Sequence, residues 1–157
     1  MLTETTIEQV RTLAQNLRPP SLDNAGLDQC LRDYCQNLSQ RSGISFDYHS
    51  YGIDKLPDHI QISLYRVIQE SINNVLKHAM AHCVEVHLVC DAEAVTLTVR
   101  DDGRGFSPQI LDPQTPRSGL GLLGMQERVE ALGGTLEINS QLGRGVALTA
   151  RIPLEEE

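Results

Sequence analysis

Glu70, Asn74 and Lys77 follow one another at steps of four and three residues inside a stretch of helical period. On a helical wheel they fall within roughly 60 degrees of one another, well away from the apolar face of the same helix. A carboxylate, a carboxamide and an ammonium on one strip can hold a hydrated magnesium ion and the phosphates attached to it, because magnesium keeps several waters and needs only one or two protein oxygens. The same strip is also what an ordinary solvated helix face presents. Asp101 is less easily read as surface: it is in phase with Val95, Leu97 and Val99, so strand alternation aims its carboxylate at the core. A buried acid must find hydrogen-bond donors or become neutral. Either strand pairing stops before Asp101 and the side chain caps a backbone amide, or it accepts from a ligand amino group such as the exocyclic amine of adenine. Directly after it come Gly103 and Gly105, and further on Gly119, Gly121 and Gly124 precede or open a helix. Glycines there let the backbone approach a ligand, and helix amides offer donors to phosphate oxygens. The dinucleotide fingerprint does not fit Gly119 to Gly124, since no strand immediately precedes it and no acidic residue follows at the required distance.

The elements that must position these residues are legible from periodicity. Ile7, Val10, Ala14 and Leu17 form a narrow stripe of the kind that seams two helices, ended by Arg18, Pro19 and Pro20. After a turn over Ser21 to Gly26, Leu27, Cys30, Leu31, Tyr34 and Leu38 mark a second amphipathic helix, closed by Ser42 and Gly43. Ile44, Phe46 and Tyr48 alternate as in a half-buried strand. The longest helix starts near Pro57 and Asp58 and carries Ile60, Leu64, Val67, Ile68, Ile72, Val75, Leu76 and Ala79 on a broad apolar face. Strands follow over Cys83 to Cys90 and Val95 to Arg100, with the turn at Asp91 to Ala94. Asp102 to Ser118 is a long connection without sustained period, a length that inside a compact domain is usually functional. A helix over Leu120 to Leu132, stopped by Gly133 and Gly134, precedes two closing strands, Thr135 to Asn139 and Val146 to Ile152.

With 157 residues, 40% of them hydrophobic, the chain is the size of one ordinary domain with one core. No apolar run approaches the roughly 20 residues needed to cross a bilayer, and the segment from Met1 to Gln9 is polar and acidic rather than signal-like. A cytoplasmic segment without membrane contact is expected, whether or not the parent protein is anchored. The balance of 13 basic against 21 acidic residues, net charge -8, would repel a phosphate backbone, which disfavours nucleic-acid binding. Cys30, Cys35, Cys83 and Cys90 form no CxxC pair and have no histidine at zinc-finger spacing, so reduced thiols acting as small apolar filler are expected.

Taken in order, these pieces resemble the ATP-binding fold of the GHKL superfamily, shared by histidine kinases, type II topoisomerases and MutL. Gln69 to Ala79 resembles the N box, Asp101 to Phe106 the DxGxG box, and Gly119 to Met125 the second glycine box. Gln126-Glu127-Arg128, Gly133-Gly134 and Gly143-Arg144-Gly145 continue the pattern of two-component sensor kinases of the nitrate-sensor and desaturase-regulator class. The resemblance spans about Leu17 to Pro153. It implies an α/β fold, a two-layer sandwich of a mixed β-sheet and α-helices (the Bergerat fold), with ATP held between the helices and a lid.

The resemblance also implies roles. Asn74 would ligate magnesium, with Glu70 beside it, and Lys77 and His78 would face the phosphates; Glu70 and Lys77 are the catalytic candidates. Asp101 would accept from the adenine amine, and Gly103 and Gly105 would floor the pocket. Gly119, Leu120, Gly121, Leu122 and Gly124 would hinge the lid and bring amides to the phosphates. Where the family often has threonine after the third glycine motif, this chain has Val146, with Thr149 the nearest hydroxyl on that strand.

Kinases of this class phosphorylate a histidine on the first helix of a dimerisation hairpin, where an acidic residue directly follows it. His49, His59, His78, His82 and His87 are followed by Ser50, Ile60, Ala79, Cys83 and Leu88, so none matches. Residues 1–20 are therefore expected to be the remnant of the hairpin's second helix with its Pro-Pro turn, and residues 21–157 the catalytic domain. The expected cofactors are ATP and magnesium. The expected partners are the hairpin domain and, indirectly, a response regulator. An anti-sigma-type serine kinase shares the boxes, but the Arg18-Pro19-Pro20 turn after a seam-like helix argues against it. A catalytically silent nucleotide-binding module is the alternative from another class.

Overall fold

The computed structural model describes residues 20–104, 120–141 and 143–154. Helix α1 (Pro20–Ser42) is followed by β1 (Ser45–Tyr51), a short 3-10 turn (Ile53–Lys55) and α2 (Asp58–Asn74), which runs on into a π turn (Val75–Ala79). Then come β2 (Cys83–Cys90), β3 (Ala94–Asp101), α3 (Leu120–Glu130), β4 (Thr135–Gln141) and β5 (Gly145–Pro153). The strands form one sheet in the order β1-β2-β3-β5-β4, with β1 and β2 parallel and the other pairs antiparallel. It is a mixed sheet with three helices, the expected α/β sandwich.

One face of the sheet carries the core. Phe46, Val84, Val86, Leu88, Val95, Leu97, Val99, Leu148, Ala150 and Ile152 alternate along their strands and are buried, as are Leu27, Leu31, Leu64, Val67, Ile68, Ile72, Met125 and Val129 from the helices. These belong to one hydrophobic cluster. Period two on the strands and period 3.6 on the helices each give a single apolar face, and two such faces bury each other. The other sheet face places Glu85 beside Arg100 and His87 beside Thr98 across the β2–β3 pair.

Three sequence expectations change in detail. Pro20 opens α1 rather than closing an earlier turn, in keeping with proline's tolerance at a first helical position. The expected turn over Ser21 to Gly26 is helical up to Gly26, whose φ of 79° and ψ of 169° break the helix. Only glycine takes that conformation cheaply. The long third helix is α-helical only to Asn74 and widens to a π turn through Ala79. Leu27, Cys30, Leu31 and Cys35 are buried at the spacing expected of the second helix. All four cysteines are free thiols, and burial pushes Cys35 up to about 11, so it acts as inert filler. The seam helix over Ile7 to Leu17, and with it the proposed boundary at residue 20, lies outside the described residues. Among the described residues no helix is long and apolar enough to cross a membrane.

Candidate functional site

Helix α2 buries Leu64, Val67, Ile68 and Ile72 completely. Its other side leaves Glu70 and Asn74 half-buried, one α-helical turn apart, and Lys77 exposed. The π turn begins at Val75, directly after Asn74. Such insertions, with i to i+5 hydrogen bonds, are frequent at functional sites. The register read at 100 degrees per residue therefore holds from Glu70 to Asn74 and is not kept at Lys77. His78 lies in the same turn, and Met80 closes it in a left-handed conformation with φ 50°.

Asp101 caps a backbone amide although strand pairing does not stop before it. Strand pairing reaches it, since it stands opposite Val84, and its Oδ1 accepts from the Gly103 amide at 2.9 Å. The backbone of Val146 donates to the same carboxylate, while burial raises its pKa above the ordinary carboxylate value. Among the described residues no cation pairs with Asp101. A half-buried acid held by two backbone amides has room for a further donor to the charged form.

Gly145 makes this arrangement possible, a role the sequence reading did not give it. Its φ is +81°, and a Cβ there would collide with the Asp101 carbonyl oxygen and approach Oδ1 to 3.1 Å. The signal was present as the Gly143-Arg144-Gly145 motif. It did not reveal which glycine touches the acid.

The turn after Asp101 is tied on two sides. Asp102 Oδ1 accepts from the amides of His82 at 2.8 Å and Cys83 at 2.9 Å, and the Asp102 amide donates to the Cys83 carbonyl at 3.2 Å. Gly143 donates to the Arg104 carbonyl at 2.6 Å, fixing the same turn to the β4–β5 hairpin. Gly103 is buried between them. The exit of the π turn, the end of β3 and the start of β5 thus meet at one end of the sheet.

Helix α3 packs on α2, with Ser71 Oγ donating to the Val67 carbonyl at 2.7 Å and lying 3.5 Å from Met125 Sδ. The backbone of Leu120, Gly121 and Leu122 forms the first turn of α3. Among the described residues, no atom beyond its chain neighbours and the backbone of its own helix lies within 4 Å of where a Cβ would stand at Gly124, so they do not require glycine there. Gly105 and Gly119 lie outside the described residues. Thr149 is not brought to Asp101: it pairs with Thr98 and Glu137 on the face opposite Leu148 and Ala150, whereas Val146 neighbours the acid.

No group of three or more His, Cys, Asp or Glu side chains among the described residues can cage a metal. The half-buried carboxamide of Asn74 and carboxylate of Glu70 suit a magnesium ion that keeps waters and takes its other oxygens from phosphates.

Residues 59–156 match the family described as histidine kinase-, DNA gyrase B-, and HSP90-like ATPase. The oxygen sensor histidine kinase NreB of Staphylococcus carnosus is 38% identical over 151 residues, covering 96% of this chain and 43% of that protein. The sensor histidine kinase MctS of Rhizobium johnstonii is 41% identical over 148 residues, covering 94% of this chain and 32% of that protein. The chain thus spans less than half the length of these curated relatives. The histidine kinase domain of the Erythrobacter litoralis EL346 blue-light activated kinase superposes with a TM-score of 0.66 at 22% identity, over 83% of this chain and 64% of that one. That likeness shows a shared fold.

Proposed function

The chain belongs to the family of histidine kinase-, DNA gyrase B- and HSP90-like ATPases, and from that premise we propose that it is the ATP- and magnesium-binding catalytic domain of a sensor histidine kinase. It transfers the γ-phosphoryl group of ATP to a histidine on a dimerisation hairpin, from which a response regulator takes it. The observation that carries this reading is Asp101, a half-buried acid at the core-facing end of β3 whose partners among the described residues are backbone amides. An adenine amine supplies the donor this carboxylate can still accept. The free thiols and the net charge of -8 accord with a cytoplasmic segment that does not bind nucleic acid.

In this mechanism the protein positions groups and neutralises charge rather than forming bonds itself. Asp101 orients the base. Glu70 and Asn74 stand where magnesium would be held, and the ion's contribution when bound is to offset phosphate charge. Lys77, exposed on the π turn, reaches phosphate oxygens, joined by His78 and by backbone amides around Gly103, Gly105 and the segment from Gly119 to Gly124. Asn74→Ala is expected to weaken magnesium-dependent ATP binding more than binding of adenosine, read by titration calorimetry. Equal losses for both ligands would contradict its role at the metal.

The test of the proposed activity is to mix the chain with a separate hairpin fragment bearing the acceptor histidine, in labelled ATP and magnesium. Acid-labile phosphate should accumulate on the hairpin and not on the chain's own five histidines. Rapid labelling of the chain alone contradicts the division of labour. Nucleotide binding without transfer favours a catalytically silent module.

A further inference from the structure

The carboxylate of Asp102 is not explained by adenine recognition or by the metal, yet it is tied to the backbone at this end of the sheet. One of its oxygens receives two consecutive amides, His82 and Cys83, while its own amide donates back to Cys83. His82 in turn accepts through its carbonyl from the Ser45 amide at 3.0 Å, so the same residue is fastened to β1. These bonds seize the chain where it leaves the π turn carrying Lys77 and His78. Between that turn and the bonded residues stands Met80, 77% exposed and in a left-handed conformation that non-glycine residues seldom adopt. Ala81, buried in the core, anchors the segment on one side, but Met80 gains neither burial nor a favoured backbone conformation.

We propose that Asp102 is a positioning residue that couples the two halves of the nucleotide site: it fixes the π turn, and with it Lys77, relative to the adenine acceptor Asp101 one residue away. The charge suits the task, because a carboxylate accepting two amides makes hydrogen bonds stronger than neutral ones. The same bonds hold the Asp102 carboxyl below the ordinary carboxylate range. The coupling rests on the ATP-site reading above. It adds that the affinity contributed by the phosphates depends on a side chain that touches no phosphate.

The test uses the full chain and two variants, Asp102→Ala and Asp102→Asn, with amide hydrogen exchange and titration of ATP with magnesium and of adenosine. In Asp102→Ala the amides of His82 and Cys83 should lose protection, and ATP should bind roughly tenfold more weakly while adenosine changes by less than about twofold. Asp102→Asn keeps an acceptor oxygen at the same place and should restore most of the ATP affinity, a rescue that general loosening of the fold would not give. Unchanged exchange at His82 and Cys83 overturns the coupling whatever the nucleotide does. Lost protection with an unchanged ratio of ATP to adenosine affinity overturns the positioning role. Absence of ATP binding by the unaltered chain overturns the site reading instead, and the coupling with it.

Discussion

Asp101→Ala is expected to weaken ATP binding by roughly 10- to 100-fold, the equivalent of losing one charge-assisted hydrogen bond of about 1.5 to 3 kcal/mol. The carboxylate is half-buried, has no cationic partner among the described residues, and already receives the Gly103 and Val146 amides. Asp101→Asn should lose much of the same affinity, because a neutral carbonyl oxygen is the weaker acceptor for an amine. Calorimetry on the two variants measures this directly, and wild-type affinity in Asp101→Ala would place the pocket elsewhere. Acidity gives an independent handle. Burial raises the pKa of this carboxyl, so the protonated form, which cannot accept as well, is reached at a higher pH than for an ordinary aspartate. ATP affinity should therefore fall as pH drops through that raised value. The sign for folding is opposite. A carboxyl with a raised folded-state pKa favours the native state below its unfolded value and loses that contribution as pH rises through the folded one. A ligand donor offsets part of this cost of holding the charge, so nucleotide binding and proton release should accompany each other.

Gly145→Ala is expected to destabilise the fold by about 1 to 3 kcal/mol from the left-handed φ alone. The methyl group adds a collision with the Asp101 carbonyl oxygen. Since β3 and β5 are hydrogen-bonded neighbours, relief means prising them apart at the end that carries the acid. Both stability and ATP affinity should suffer. Gly143 is the internal control: it has the same φ of +81°, but among the described residues nothing beyond its chain neighbours lies within 4 Å of its missing Cβ. Gly143→Ala should show the strain without the collision. Thermal unfolding of the two variants, with ATP titrations on each, separates these contributions, and equal melting losses would remove the close contact from the explanation.

How far the site could be read from residues alone depended on whether the signal was periodic. The strand over Cys83 to Cys90 was legible to its ends because Val84, Val86 and Leu88 alternate against one buried face. The start of α2 was marked by Pro57 and Asp58, and its apolar face by Ile60 to Ile72. The π turn was not legible. An extra residue per turn after Asn74 leaves no trace in the spacing of apolar side chains. Asp101 presented two alternatives in the sequence because alternation cannot say whether pairing continues to the last residue; the structure shows both pairing and a capped amide. Thr149 was a different matter. It stands three residues beyond Val146, an odd step along a strand, so counting alone puts it on the other face of the sheet. Gly145 shows the limit for glycine: composition marks where freedom is available, and only coordinates show that the Asp101 carbonyl comes close.

Recognition of the adenine amine by Asp101 is tested most directly by comparing ATP with inosine triphosphate on the unaltered chain and on Asp101→Asn, by calorimetry in magnesium. Inosine triphosphate keeps the sugar and phosphates but replaces the exocyclic amine by a carbonyl, so a carboxylate facing it meets an acceptor instead of a donor. The unaltered chain should prefer ATP by at least about tenfold, and Asp101→Asn should lose most of that preference. Equal binding of the two nucleotides by the unaltered chain would contradict it.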